Sequence, residues 1–180
     1  MELTILSKYL DHLKKGLIEV LGSLEASTFT KNMSGEAFTG LQLHTSLEIR
    51  GILIRAGRAG FNYWLSDNYR SCGWDDPEFR FKPVRRKLAA GLGDICNWFT
   101  RETTAMVSLQ ESKAAWILRL DIPDGVEGQA PILDCAYMWG FVQEFTRWSG
   151  LGRFYPVHET RCRLKADEYC EITIEKEPTD

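Results

Sequence analysis

Histidine is scarce in this 180-residue sequence, with three copies at positions 12, 44 and 158. That scarcity leaves little acid–base machinery, and no catalytic triad can be assembled from the residues present. Ser46 and Ser108 lack the strand–turn–helix setting of a nucleophile elbow, and Asp94 with Glu102 reads as a solvated helix face. Basic charge is not in excess either. Lys plus Arg number 22 against 25 for Asp plus Glu, a formal charge of -3, which argues against a nucleic-acid footprint or a polybasic membrane patch. Long uncharged apolar runs are missing: Met1-Glu2-Leu3-Thr4 leads into a segment carrying Asp11, Lys14 and Lys15, so neither a signal peptide nor a membrane span is read. A soluble, cytoplasmic protein is expected. Gly57-Arg58-Ala59-Gly60 and Gly91-Leu92-Gly93 have no strand before them, so no phosphate-cradling loop is read.

What the sequence does contain is aromatic surface and thiols. Aromatic residues make up 12%, with Trp at 64, 74, 98, 116, 139 and 148, and rings in that number line either a core or a ligand pocket. The five cysteines, at 72, 96, 135, 162 and 170, are an odd set in a chain large enough to bury a core without disulfides. A reducing compartment would keep them as thiols, for metal binding or core packing.

Residues 5–24 carry Leu6, Tyr9, Leu10, Leu13, Leu17, Val20 and Leu21 at spacings of three and four, the stripe of an amphipathic helix. The polar stretch 27–40 has no assignable pattern. A second helix is predicted over about 43–67, where Gly51, Ala56, Gly57, Ala59 and Gly60 interrupt Ile52, Ile54, Phe61 and Trp64. Glycine costs about 1 kcal/mol against alanine inside a helix, so these positions suggest tight packing on a partner helix, with a homodimer seam as one setting and a kinked helix as the alternative. A third helix is predicted over 84–100. The period then changes to two: 106–122 reads as a β-hairpin whose second strand points Trp116, Leu118 and Leu120 inward and Ile117, Arg119 and Asp121 outward. A fourth helix over 133–148 and two strands, 154–164 and 169–175, complete the chain. The order α-α-α-β-β-α-β-β predicts an α+β fold in which an antiparallel sheet of about four strands packs on helices. One domain is expected over 1–180, helical to about 105, with the sheet over about 106–176.

Cys162 and Cys170 flank the four-residue turn between the last two strands, with Cys170 on the face of Ile172 and Ile174. Cys135 opens the fourth helix, where the helix dipole should lower a thiol pKa. A tetrahedral metal then needs a fourth ligand, and both His158 and Glu159 are candidates. Strict alternation places His158 on the face of Cys162, whereas Glu159 needs a bulge to reach it.

Glu159-Thr160-Arg161-Cys162-Arg163-Leu164-Lys165-Ala166-Asp167-Glu168-Tyr169-Cys170, preceded by Cys135-Ala136-Tyr137-Met138-Trp139-Gly140, resembles the zinc-site region of the four-vinyl reductase domain family. That family includes the hydrocarbon-binding sensor domains of phenol- and xylene-responsive transcription activators, and it shares its fold with subunits of the vesicle-tethering transport particle. The resemblance runs over roughly 89–175. It implies a structural zinc ion held by Cys135, Glu159, Cys162 and Cys170, with His158 as the alternative to Glu159. The sequence departs from the family pattern at Ala166, where glycine is usual and where a left-handed turn suits alanine poorly. The resemblance also implies a hydrophobic or aromatic ligand between sheet and helices, and Trp98, Trp116, Leu118, Tyr137 and Trp139 are the pocket candidates. A sensor, carrier or assembly factor is the first functional expectation, with a tetrapyrrole among the ligands implied and a homodimer and a downstream protein as partners. An accessory protein or reductase in chlorophyll synthesis is a second, although no flavin, nicotinamide or iron–sulfur motif is read. A ligand-free scaffold subunit is a third.

Overall fold

The computed structural model describes residues 8–34, 47–122 and 134–179. Helix α1 (Lys8–Leu21) buries Tyr9, Leu13 and Leu17 along its predicted stripe, together with His12 and Gly16. It ends at Gly22, whose φ of +81° breaks the helix that the periodicity carried to residue 24. A second helix, α2 (Ser23–Ser34), follows in the segment that had no readable pattern. Helix α3 (Leu47–Asn68) is the small-residue helix, α4 (Pro77–Arg80) is a single turn, and α5 (Val84–Glu102) buries Leu88, Leu92, Ile95, Trp98 and Phe99. After β1 (Met106–Glu111) and β2 (Ala115–Asp121) comes α6 (Cys135–Ser149), then β3 (Val157–Arg161) and β4 (Cys170–Glu175). The connection 123–133 lies outside the described residues, as do His44 and the start of the predicted second helix.

The fold is α+β, with one antiparallel sheet in the order β1-β2-β4-β3. Register sets the faces. Trp116 pairs with Ile174, Leu118 with Ile172 and Leu120 with Cys170, so the inward residues of β2 and β4 form one apolar surface. Helix α5 is tied to the sheet edge through Thr100, whose hydroxyl accepts from Val107 N at 2.9 Å.

The small residues of α3 are used inside the chain. A Cβ on Gly57 would overlap the Tyr137 carbonyl of α6, and one on Gly140 of α6 would overlap the Ile54 carbonyl of α3. The two helices therefore touch backbone to backbone, and this contact is where the predicted close packing falls. Phe61 and Trp64, which the sequence allowed at a dimer seam, are fully buried on the same helix. Among the described residues, nothing lies within 4 Å of where a Cβ on Gly51 would stand. Around α3 and α6 the core is a continuous aromatic cluster in which Trp64 meets Trp74, Trp98 and Phe141, and Phe61 meets Phe141 and Phe145. No described helix is long and apolar enough to cross a membrane.

Candidate metal centre and ligand-binding core

Three elements converge at one end of α6. Asp134 caps that helix, its carboxylate accepting from Ala136 N at 2.7 Å and Tyr137 N at 3.1 Å, and this fixes Cys135 in the first turn. Cys170 is placed by its register opposite Leu120 at the start of β4. Cys162 leaves the end of β3, and its amide donates to Asp167 Oδ2 at 2.8 Å as the chain turns through a short 3-10 helix, Arg163–Lys165. That turn closes at Ala166, with φ 68° and ψ 19°, so the left-handed position is kept without glycine.

The Sγ atoms of Cys135, Cys162 and Cys170 all lie within 4.8 Å of one another, and those of Cys135 and Cys162 are 3.6 Å apart. Tetrahedral zinc with bonds of about 2.3 Å spaces its sulfurs about 3.8 Å apart, so the donor set fits that ion. All three cysteines are buried, and all five in the chain are free thiols. The Arg163 amide points at Cys170 Sγ at 3.4 Å, a contact that favours a thiolate. The helix-dipole effect expected at Cys135 is opposed by its neighbours. Its hydrogen bonds with Cys162 and then Cys170, together with burial, push its pKa far above the ordinary thiol value, because adjacent thiolates repel when no cation lies between them. Cys170 is lowered by its bond with Cys135 but raised more by Cys162 and by burial, to about 11.

The two candidates for a fourth ligand part company at a register shift between Glu159 and Arg161. His158 pairs with Thr173 on the outer face, is 55% exposed and reaches Glu175 Oε1 at 3.1 Å. Glu159 pairs with Ile172 on the inner face, and its side chain is 3% exposed. The bulge re-aims the strand before Cys162, and simple alternation from Cys162 therefore misassigns these two faces.

Sequence reasoning missed Arg50. From α3 its Nη2 donates to both Glu159 oxygens at 2.8 Å, and its Nη1 lies 3.8 Å from Cys162 Sγ. Lys165 Nζ adds a contact to Glu159 Oε2 at 3.1 Å. No local signal identifies Arg50, since it stands 109 residues before its partner.

The pocket candidates are spread over the helix–sheet core. Trp98 packs on His12, Trp64, Phe99 and Phe141, while Tyr137 packs edge-on against Tyr9. Trp116 and Leu118 lie on the buried face of β2. Trp139 is half-buried and donates to Val157 O at 3.0 Å. Several buried polar atoms here have no hydrogen-bond partner among the described residues: Trp98 Nε1, Trp116 Nε1, Trp64 Nε1, Tyr137 OH and His12 Nδ1. His12 is otherwise held by Nε2 donating to Asp67 Oδ2 at 3.0 Å. Unsatisfied buried donors are costly, at about 1–3 kcal/mol each.

No protein-family model and no curated protein matches the chain. Among solved structures it is similar to an H-NOX protein from S. oneidensis in the Fe(II)NO ligation state, with TM-score 0.57 and 12% identity over 96% of this chain and 98% of that one. A structure from work on H-NOX activation matches with TM-score 0.50 and 13% identity over 100% and 99%. The phenol-responsive sensory domain of the transcription activator PoxR, with phenol, matches with TM-score 0.42 and 16% identity over 97% and 76%. At these identities the likeness concerns the fold, which is that of H-NOX proteins.

Proposed function

We propose that this chain is a zinc-stabilised binding domain for a hydrophobic or aromatic small molecule, acting as a sensor, carrier or assembly factor. The convergence of three buried thiols from α6, the end of β3 and the start of β4 carries the metal half of this reading. Cys135, Cys162, Cys170 and Glu159 would hold the ion, which, when bound, supplies a structural cross-link between helix and sheet. Arg50 would balance the charge of the thiolates and hold the Glu159 carboxylate in place, linking the site to α3.

The ligand half is supported by the unpartnered donors. Three of the five pocket candidates, Trp98, Trp116 and Tyr137, each bury a polar atom with no acceptor among the described residues. A ligand with a hydroxyl or carbonyl among these rings would satisfy them, and apolar walls with few convergent polar groups are what such sites use. The H-NOX fold, seen in a protein with an Fe(II)NO centre, supports sensing of a small molecule. A tetrapyrrole ligand, membership of the four-vinyl reductase family and a role in pigment synthesis are the finer forms of this reading.

Native mass spectrometry of wild type and Cys162→Ala tests the metal. One zinc per wild-type chain, lost in the variant, is expected. A folded, metal-free wild type whose stability is indifferent to Cys162→Ala would end the zinc reading. Titration with phenol, followed by tryptophan fluorescence in wild type and Trp116→Ala, tests the ligand site. Saturable quenching lost in the variant is expected, and absence of quenching by phenol and of a visible pigment band would leave the scaffold reading.

A further inference from the structure

The far end of α6 holds a second feature that the metal and core sites do not use. A cleft of about 310 Å³ opens there, walled by Tyr69, Trp74, Phe79 and Trp148. Three of these rings form a near-parallel stack: Trp74 lies 5.2 Å from Phe79 with 3° between planes, and 5.4 Å from Trp148 with 20°. Stacking covers Trp74 (0% exposed) and most of Phe79 (6%), so Trp148, 38% exposed, is the ring of the stack with open surface, and the cleft's volume falls at the small end of the range of about 300–1,000 Å³ for ligand pockets. One or two fused rings would fill it.

Its charge is one-sided. The only ionisable side chains with formal charge lining the cleft are Arg80 and Lys87, although the chain as a whole is acidic, at -3. Lys87 Nζ is occupied by the Arg80 carbonyl at 2.9 Å, while the Arg80 guanidinium has no ion pair among the described residues. Arginine on the lining of an aromatic cleft is suited to a carboxylate on a planar ring, since the fork binds the anion while a ring stacks on the ligand. Ser149, which also lines the cleft, is 2% exposed, and its hydroxyl has no hydrogen-bond partner among the described residues. At the rim the chain leaves α6 through Leu151, a non-glycine residue at φ 55° that is 72% exposed. That conformation is strained for a residue with a Cβ, and strain of this kind collects at ligand sites.

We propose that this cleft is a binding site for a planar aromatic carboxylate, with Arg80 as the anion contact and Trp148 as the stacking surface. The site is separate from the thiol cluster. Cys135 and Ser149 open and close a helix of 15 residues, about 20 Å at 1.5 Å per residue.

Isothermal titration with 2-naphthoate, and with its neutral isostere 2-naphthamide, tests the proposal on wild type, Arg80→Gln, Trp148→Ala and Trp116→Ala. The naphthoate bound in this cleft is expected to bind at least tenfold more weakly to Arg80→Gln and to Trp148→Ala, and any second naphthoate that is lost in Trp116→Ala belongs to the core pocket. Naphthamide should bind at least tenfold more weakly than naphthoate. Equal affinity for the two probes, no naphthoate binding at millimolar concentration, or indifference to Arg80→Gln would each overturn the proposal. Loss of binding in Trp116→Ala with Arg80→Gln unaffected would place the probe in the core pocket instead, refuting this site while leaving the proposed function standing. Arg80 is exposed and outside the core, so its variant tests the contact without threatening the fold.

Discussion

Replacing Arg50 by glutamine removes the cation from a pair whose side chains are 14% and 3% exposed and leaves Glu159 charged beneath the surface. Removing one partner of a buried pair costs about 3–5 kcal/mol, chiefly the penalty of the charge left behind. Here Lys165 still touches Glu159 at 3.1 Å, but its side chain is 65% exposed and its contact is correspondingly weak, so about 2–3 kcal/mol is expected for the metal-free protein. With a urea slope near 2 kcal/mol per molar, the midpoint in chelator should fall by about 1–1.5 M. In zinc-loaded protein the divalent charge would replace the guanidinium as the partner of Glu159, and the shift should shrink to about 0.5 M or less. Glu159→Gln in the Arg50→Gln background should recover much of the loss, since both charges are then gone. Urea unfolding by tryptophan fluorescence reads all three proteins with and without zinc. A metal-free Arg50→Gln protein within about 0.3 M of wild type would refute the buried-pair argument. An equal shift in both metal states would refute Glu159 as a ligand.

Zinc affinity should fall as pH falls, because up to three thiols must lose protons on binding and the thiols of Cys135 and Cys170 hold theirs well above neutrality. Competition with a chromophoric chelator between pH 6.5 and 8 should show the logarithm of the affinity rising by about two to three per unit, and a flat profile would exclude thiolate ligation. Ala166→Gly should raise stability by about 0.5–1 kcal/mol by relieving the residue at φ 68°, and a lower urea midpoint would count against the left-handed turn. Gly140→Ala should cost about 3 kcal/mol or more, because its Cβ meets the Ile54 carbonyl of α3. Gly51→Ala, with open space around the new methyl, should instead add up to about 1 kcal/mol; thermal melts of the two variants that moved alike would undo the packing assigned to α3.

Much of the secondary structure was legible because it is written in local periodicity. The stripe of Tyr9, Leu13 and Leu17, the alternation of Trp116, Leu118 and Leu120, and the placement of Cys135, Cys162 and Cys170 at element ends all follow from spacing. Local reasoning weakened where one residue changed the outcome. Gly22 divides a stripe that runs on past it, and polarity concealed α2. The small residues of α3 announced a close contact but not its partner, because a helix face carries no label for the helix that will cover it.

The site itself divides along the same line. Sequence alone determined which residues carry thiols, which rings are available, and that an antiparallel sheet would bring the last two cysteines near each other. Only the tertiary structure decided that Glu159 faces inward and His158 outward, since a bulge is a property of paired strands and not of one strand's pattern. Only it brought Arg50 to the thiols, set tryptophan donors in the core without acceptors among the described residues, and stacked Phe79, Trp74 and Trp148 beside a cleft. These features join residues from separate elements, and their positions depend on how backbones pack, as at Gly57 and Gly140, more than on any neighbour in the chain.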